Sequence, residues 1–307
     1  TYNVAVGASA LDANTTASYN TALGYNSLTT NTTGEQNVAV GTEALNSNTT
    51  GDNNVSVGLQ ALYDNTTGDN NTAIGKRALG DNTTASNNTA LGSEALRLNT
   101  TGNQNAAGGS SALTANTTGT ENSAFGHVSL TTNTTGSRNT GFGRASLYAN
   151  TTASDNTAVG YNSLVSNTTG TSNTAVGANA LDANTTASQN TAIGHHALGA
   201  NTTGDINVAI GDYAMSSSTT SDRNVAIGSN AMASLNSSGD THNVAVGFRA
   251  AQNSTTASQF TALGSDTLTA QTTANYNIAI GYLSGGALTT GGSNTSVGRA
   301  SLSQNVT

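Results

Sequence analysis

The sequence is one 17-residue unit repeated from end to end, and a unit that short constrains the fold more than any other feature of the chain. Aligned on Asn-x-Ala-x-Gly, the units begin at Asn3, Asn20 and Asn37 and continue in steps of 17 to Asn224. One step of 19 leads to Asn243, because the segment 233–242 carries two extra residues, and steps of 17 then resume at Phe260, Asn277 and Asn294. This makes 17 full units and a partial eighteenth, read as a single domain over residues 1–307. In one-letter code the consensus is N-[VT]-A-[VIL]-G-x-x-[AS]-L-x-x-N-T-T-[GA]-x-x, and its places are numbered 1 to 17 below.

Positions 1 to 4 are short, often β-branched, and run into an unvarying glycine at position 5, as at Gly7, Gly24, Gly41 and Gly58. That predicts a brief strand and a tight bend. The Ala-Leu at positions 8 and 9 predicts a second short strand, and Asn-Thr-Thr-Gly at positions 12 to 15 a turn whose glycine supplies positive φ. Helix is disfavoured, since each interior glycine would cost about 1 kcal/mol. Two strands and two turns in 17 residues make one coil of a parallel β-solenoid, stacked at about 4.8 Å per coil. A single coil buries almost nothing, so stability has to come from columns of like residues. The expected core columns are position 4 (Val40, Ile74, Ile193) and position 9 (Leu45, Leu62, Leu79), with stacked Asn adding amide ladders. Persistently small residues at positions 3 and 8 suit close approach of a neighbouring backbone.

Composition agrees with a thin, repetitive structure: 35% hydrophobic, 4% aromatic and 8% charged residues, with no Trp, Pro or Cys. The net charge of −8 is scattered singly, and Lys76-Arg77 is the one adjacent basic pair, which argues against nucleic acid as a partner. Without cysteine there is neither a disulfide framework nor a thiolate metal site. No apolar run approaches the roughly 20 residues of a membrane span.

The stretches Asn37-Val-Ala-Val-Gly41, Asn207-Val-Ala-Ile-Gly211 and Asn243-Val-Ala-Val-Gly247, each followed by x-x-Ala, resemble the YadA-like head repeats of trimeric autotransporter adhesins. Related Asn-Thr-Ala-(Val/Leu)-Gly…Asn-Thr-Thr-Gly repeats of phage and bacterial tail-fibre-type proteins are also similar. The resemblance covers essentially the whole chain and implies a left-handed β-roll in which three identical chains pack side by side. It implies in turn an extracellular, non-enzymatic fibre segment on a cell surface or virion. The adhesin unit is usually nearer 14 residues, and here the Asn-Thr-Thr-Gly segment enlarges one turn. Side-by-side association has its own argument: a thin roll with apolar side chains on both strand faces leaves a strip exposed.

The expected partners are therefore other copies of the chain and a host or environmental surface or glycan, with no cofactor. The variable bend at positions 6 and 7 carries the candidate surface contacts: Lys76, Arg77, Tyr161, Asn162, His195, His196, Phe248 and Arg249. Adjacent histidines in a bend are read as surface residues, and Asp52, Asp69, Asp205 and Asp222 at position 16 as solvated turn carboxylates. Nothing resembles a nucleophile elbow or a paired-carboxylate site. Gly108, where position 4 lacks a side chain, reads as a packing defect filled by a neighbour. Two other readings attach to the Asn-Thr-Thr column: an N-glycosylation acceptor recurring from Asn14 to Asn201, and a threonine array for ice binding.

Overall fold

A computed structural model describes residues 2–304 and divides the chain into two compact units, 1–155 and 156–307. The boundary falls between repeats, so each unit holds whole coils; the partial last repeat is described as far as Gln304. Both units are all-β, parallel β-solenoids of 17 residues per coil. In the first, nine three-residue strands, from Val4–Val6 to Thr140–Phe142, pair in parallel, each residue opposite its copy 17 places on. In the second, nine such strands run from Thr157–Val159 to Thr295–Val297. There the two-residue insertion sets Val225 opposite Val244 and builds a small parallel pair, Thr220–Asp222 with Ser238–Asp240, outside the main sheet.

The expected second strand is absent. Positions 6 to 11 form turns, and the position-9 leucines lie in the left-handed region, Leu45 at φ 51° and Leu62 at φ 50°. Non-glycine residues at positions 7 and 17 do the same, as at Glu43 (φ 56°) and Gln36 (φ 58°). A left-handed L-residue costs roughly 1–2 kcal/mol, and three per coil need a compensating gain. Each of them turns its N–H onto an adjacent coil: Leu28 donates to Ala44 O (3.0 Å), Glu43 to Tyr25 O (2.8 Å) and Gln36 to Ser18 O (3.2 Å). These bends therefore continue the inter-coil hydrogen bonding that the short strand begins, while pointing leucine inward. The position-5 glycines take positive φ, Gly75 at +136° for example, as do Gly239 in the inserted segment and Gly285 at position 9, whereas the glycines of the Asn-Thr-Thr-Gly turn do not. Position 15 is instead crowded and buried, and alanine takes it at Ala85, Ala153 and Ala187.

The core also departs from expectation. Leu45, Leu62 and Leu79 are fully buried, as expected, but the residues buried with them are the position-3 and position-8 alanines, such as Ala39, Ala44, Ala73 and Ala78. The small residues thus reflect the narrow interior of the chain's own coil. Position 4 points outward: Ile74 is 43% and Ile193 38% exposed, and Val40 is half-buried. The strand is only three residues long, so alternation admits one inward side chain, and position 3 takes it.

Two asparagine columns complete the interior. Asn48, Asn65, Asn82 and their copies at position 12 are fully buried, as are Asn37, Asn54 and Asn71 at position 1. Asn65 Nδ2 donates to Asn48 Oδ1 (2.9 Å) and Asn82 Nδ2 to Asn65 Oδ1 (2.8 Å), forming the amide ladder. Within a coil, Asn54 Nδ2 and Asn65 Nδ2 both donate to the Gly68 carbonyl, at 2.8 and 3.0 Å, clamping the two ends of the coil together. The position-1 amide oxygen accepts the backbone N–H of the next position 1, as Asn54 N to Asn37 Oδ1 at 2.9 Å. In the second unit the position-12 ladder stops after Asn201, giving way to Ser218, Leu235, Ser254, Gln271 and Leu288. Position 1 likewise becomes Phe260, which is 1% exposed.

Gly108 is filled by a neighbour, as its sequence suggests. A Cβ there would lie 2.5 Å from Phe125 Cδ1, so the Phe125 ring occupies the missing side chain's place, and Phe142 stacks on it at 4.9 Å.

Candidate functional site

Residues at positions 6 and 7 lie on the bend that follows the strand, turned outward by the position-5 glycine. Lys76, Arg77, Tyr161, His195, Phe248 and Arg249 are exposed, and Asn162 and His196 are half-buried. They occupy different coils and form no single site; each pair makes its own local arrangement.

In the second unit, His195 and His196 pack edge to face at 4.3 Å, with Tyr213 of the next coil stacked on His196 at 5.3 Å. His195 Nδ1 meets Asp212 Oδ1 at 3.1 Å, whereas His196 Nε2 lies 3.3 Å from Asn179 Nδ2. The two rings thus face different partners, and among the described residues no group of three or more His, Asp or Glu side chains is placed to hold a metal. Nearby Asp182 is raised above its ordinary pKa by burial, against the opposing pull of His196. Arg249, beside the Phe248 ring at 4.8 Å, is held by Asp266 through Nε at 2.8 Å.

In the first unit, Arg77 Nε donates to Gln60 Oε1 (3.0 Å), and Gln60 Nε2 donates to Glu43 Oε2 (2.8 Å). This is a ladder of unlike position-7 side chains, each orienting the next. Gln60 and Arg77 join Tyr63, Gly80, Asp81 and Arg97 around a cleft of about 270 Å³. The sequence reading found Arg77 but missed Tyr63 and Arg97. For Arg97 the signal is an offset of 20, because position 10 reaches position 7 of the preceding coil: Thr29 Oγ1 donates to Ser9 O (3.0 Å) and Thr114 Oγ1 to Glu94 O (2.9 Å). Arg97 stands 20 residues after Arg77 in the same relation.

Beside this cleft, Asp64 is raised above 3.8 by burial and by the Asp81 charge. A carboxyl whose folded pKa is raised weakens folding as pH climbs through the interval above 3.8, and does nothing below it. Asp64→Asn is therefore expected to raise the unfolding midpoint at neutral pH and to leave it unchanged well below pH 3.8, read by thermal melts across pH. An equal gain at both pH values would contradict the assignment. The exposed Arg138–Asp155 pair works the other way: the guanidinium, hydrogen-bonded at 2.6 Å, holds Asp155 below the usual carboxylate range.

The position-16 aspartates have a structural task. Asp52 Oδ1 accepts the Glu35 N–H (2.7 Å), Asp69 Oδ1 that of Asp52 (2.8 Å) and Asp222 Oδ1 that of Asp205 (2.7 Å). Serine or asparagine serves equally, as Ser86 Oγ does for Asp69 N at 3.0 Å, which explains why the charge is dispensable. The Asn-Thr-Thr column also divides. Its asparagines from Asn31 to Asn201 are fully buried with Nδ2 bonded, so these folded coils present no amide to a glycosyl donor, while Asn14 in the first coil is half-buried. The first threonine spends its hydroxyl on the next coil, Thr49 Oγ1 to Thr66 O at 2.9 Å, and the second, such as Thr50 and Thr67, is exposed. No helix is long and apolar enough to cross a membrane among the described residues. No protein-family model matches the chain, and no curated protein is similar to it in sequence.

Proposed function

We propose that the chain is a non-enzymatic structural and adhesive segment of an extracellular fibre, whose solenoids associate side by side as a homotrimer and present the position-6 and position-7 bends for surface attachment. The observation that carries this reading is the outward turn of position 4. In the first unit Leu23, Ile74, Leu91, Phe125 and Phe142, and in the second Val159, Ile193, Ile227 and Ile280, are at least 36% exposed. They recur on the same strand position, flanked by position-2 Val and Thr. Contiguous apolar surface of this kind on a soluble protein marks an interaction face, and burial of such a side chain is worth roughly 1.5–3 kcal/mol. A partner with the same periodicity is the chain itself, and the resemblance to trimeric adhesin heads supplies the number three.

Sedimentation of the purified chain is expected to give a trimer, and Ile74→Asp with Leu91→Asp a smaller species of unchanged β-content. A wild-type monomer at micromolar concentration would overturn the association. Flanking sequence tests the setting: an anchoring barrel supports a bacterial adhesin, and a baseplate-attachment domain would assign the segment to a virion.

A further inference from the structure

We infer that the cleft between Tyr63 and Arg97 in the first unit is a binding site for a carboxylated sugar, a uronate-type pyranose. Four observations converge on it. The chain has 8 Lys and Arg residues in 307, yet Lys76, Arg77 and Arg97 fall within two successive repeats. Position 10 carries Tyr63, Gly80 and Arg97 in consecutive coils, so the absent side chain at Gly80 opens a slot between a phenol ring and a guanidinium. The glycine is not required by backbone conformation, since φ at Gly80 is not positive and neighbouring coils hold large residues there.

The third observation is Arg97 Nε, which is shielded from solvent and has no hydrogen-bond partner. In other coils the position-10 side chain donates to a position-7 carbonyl, as Thr114 does to Glu94 and Asn46 to Asn26; Arg97 leaves its inner N–H uncommitted. Among the described residues Arg97 Nε and Ser218 Oγ are the two buried side-chain polar atoms without a hydrogen-bond partner. Fourth, Arg77 is held in place by the Glu43–Gln60 ladder through Nε alone, which turns its planar fork into a prepared carboxylate receptor.

The lining fits a sugar acid better than a bare anion. The Tyr63 ring offers an apolar face for the C–H surface of a pyranose, and Arg77 and Arg97 offer donors to its carboxylate. Asp81, on the same wall, would repel a simple anion but accepts hydroxyl protons. At about 270 Å³ the cleft is just smaller than the usual small-molecule site, a size that suits one ring of a longer acidic glycan. This inference does not depend on side-by-side association, because it rests on one unit of a single chain.

The test is calorimetric titration of the full chain with sodium glucuronate, against glucose and sodium sulfate at matched ionic strength. Saturable millimolar binding of glucuronate, with none of glucose, is expected. Tyr63→Ala, Arg77→Ala, Arg97→Ala and the slot-filling Gly80→Thr should each weaken it by about tenfold or more, the size of one lost charge-assisted hydrogen bond or stacking face. Arg299→Ala, in the second unit, should bind as the wild type. Absence of saturation, or glucuronate binding unchanged in Arg97→Ala, would overturn the site. Equal binding of sulfate that is insensitive to Tyr63→Ala would overturn the sugar assignment.

Discussion

Replacing Gly75 with alanine is expected to destabilise the first unit by at least about 3 kcal/mol, combining left-handed strain with backbone overlap. The glycine sits at φ +136°, outside the range that a side chain tolerates, and an added Cβ would lie 2.5 Å from the Gly92 carbonyl oxygen of the next coil. That oxygen belongs to another position-5 glycine, whose own place is fixed by Gly109 beyond it, so the overlap has no flexible atom to absorb it. Urea denaturation gives the magnitude, and hydrogen exchange gives the location. Exchange should rise first around residues 58–92, because stacked repeats lose structure where the contact between neighbours fails. A loss below about 1 kcal/mol would show that the coils shift apart easily and that position 5 is less constrained than its geometry implies.

Asn65→Leu, which keeps much of the volume and removes the amide, is expected to cost about 3–5 kcal/mol, from buried groups left unpaired at roughly 1–3 kcal/mol each. Asn65 Nδ2 serves both Asn48 Oδ1 and the Gly68 carbonyl, and its Oδ1 receives Asn82 Nδ2. Gly68 O keeps its second donor, Asn54 Nδ2, so the damage falls mainly on the ladder partners. The comparison is Asn→Leu where the ladder has already lapsed, and nature supplies it: Leu235 and Leu288 are buried at position 12 of the second unit. A mild effect at Asn65 would mean that apolar columns substitute freely for amide columns at this position.

The periodicity, the strand leading to position 5, the Gly108 repair and the amide ladders were legible in the sequence, because each is a property of residues stacked on their own copies; the second strand expected at positions 8 and 9 was not there to be found. What was not legible were properties that depend on which way a short segment faces. A three-residue strand presents one residue on one face and two on the other, and hydrophobicity alone pointed to Val40, Ile74 and Ile193 as the buried pair member. The structure buries the alanine instead, because leucine at position 9 arrives from a left-handed turn and fills the space that a larger strand residue would need. Left-handed leucine runs against residue preference, so no propensity argument finds it. The candidate surface residues were placed on the right bend. Arg97 was missed because it comes from the next coil, where the 20-residue offset from position 7 to position 10 brings it beside Arg77.

The asparagine clamp has a genetic consequence. Within each unit, hydrogen bonds run either inside one repeat or to its immediate neighbours, so no repeat depends on a residue far along the chain. Unequal recombination between repeats would therefore delete or duplicate whole coils and still yield chains whose amides are all satisfied. Coil number becomes a heritable variable that selection can tune independently of the sequence of any coil, while a gain of one or two residues, as at 233–242, has to be absorbed by a local bulge.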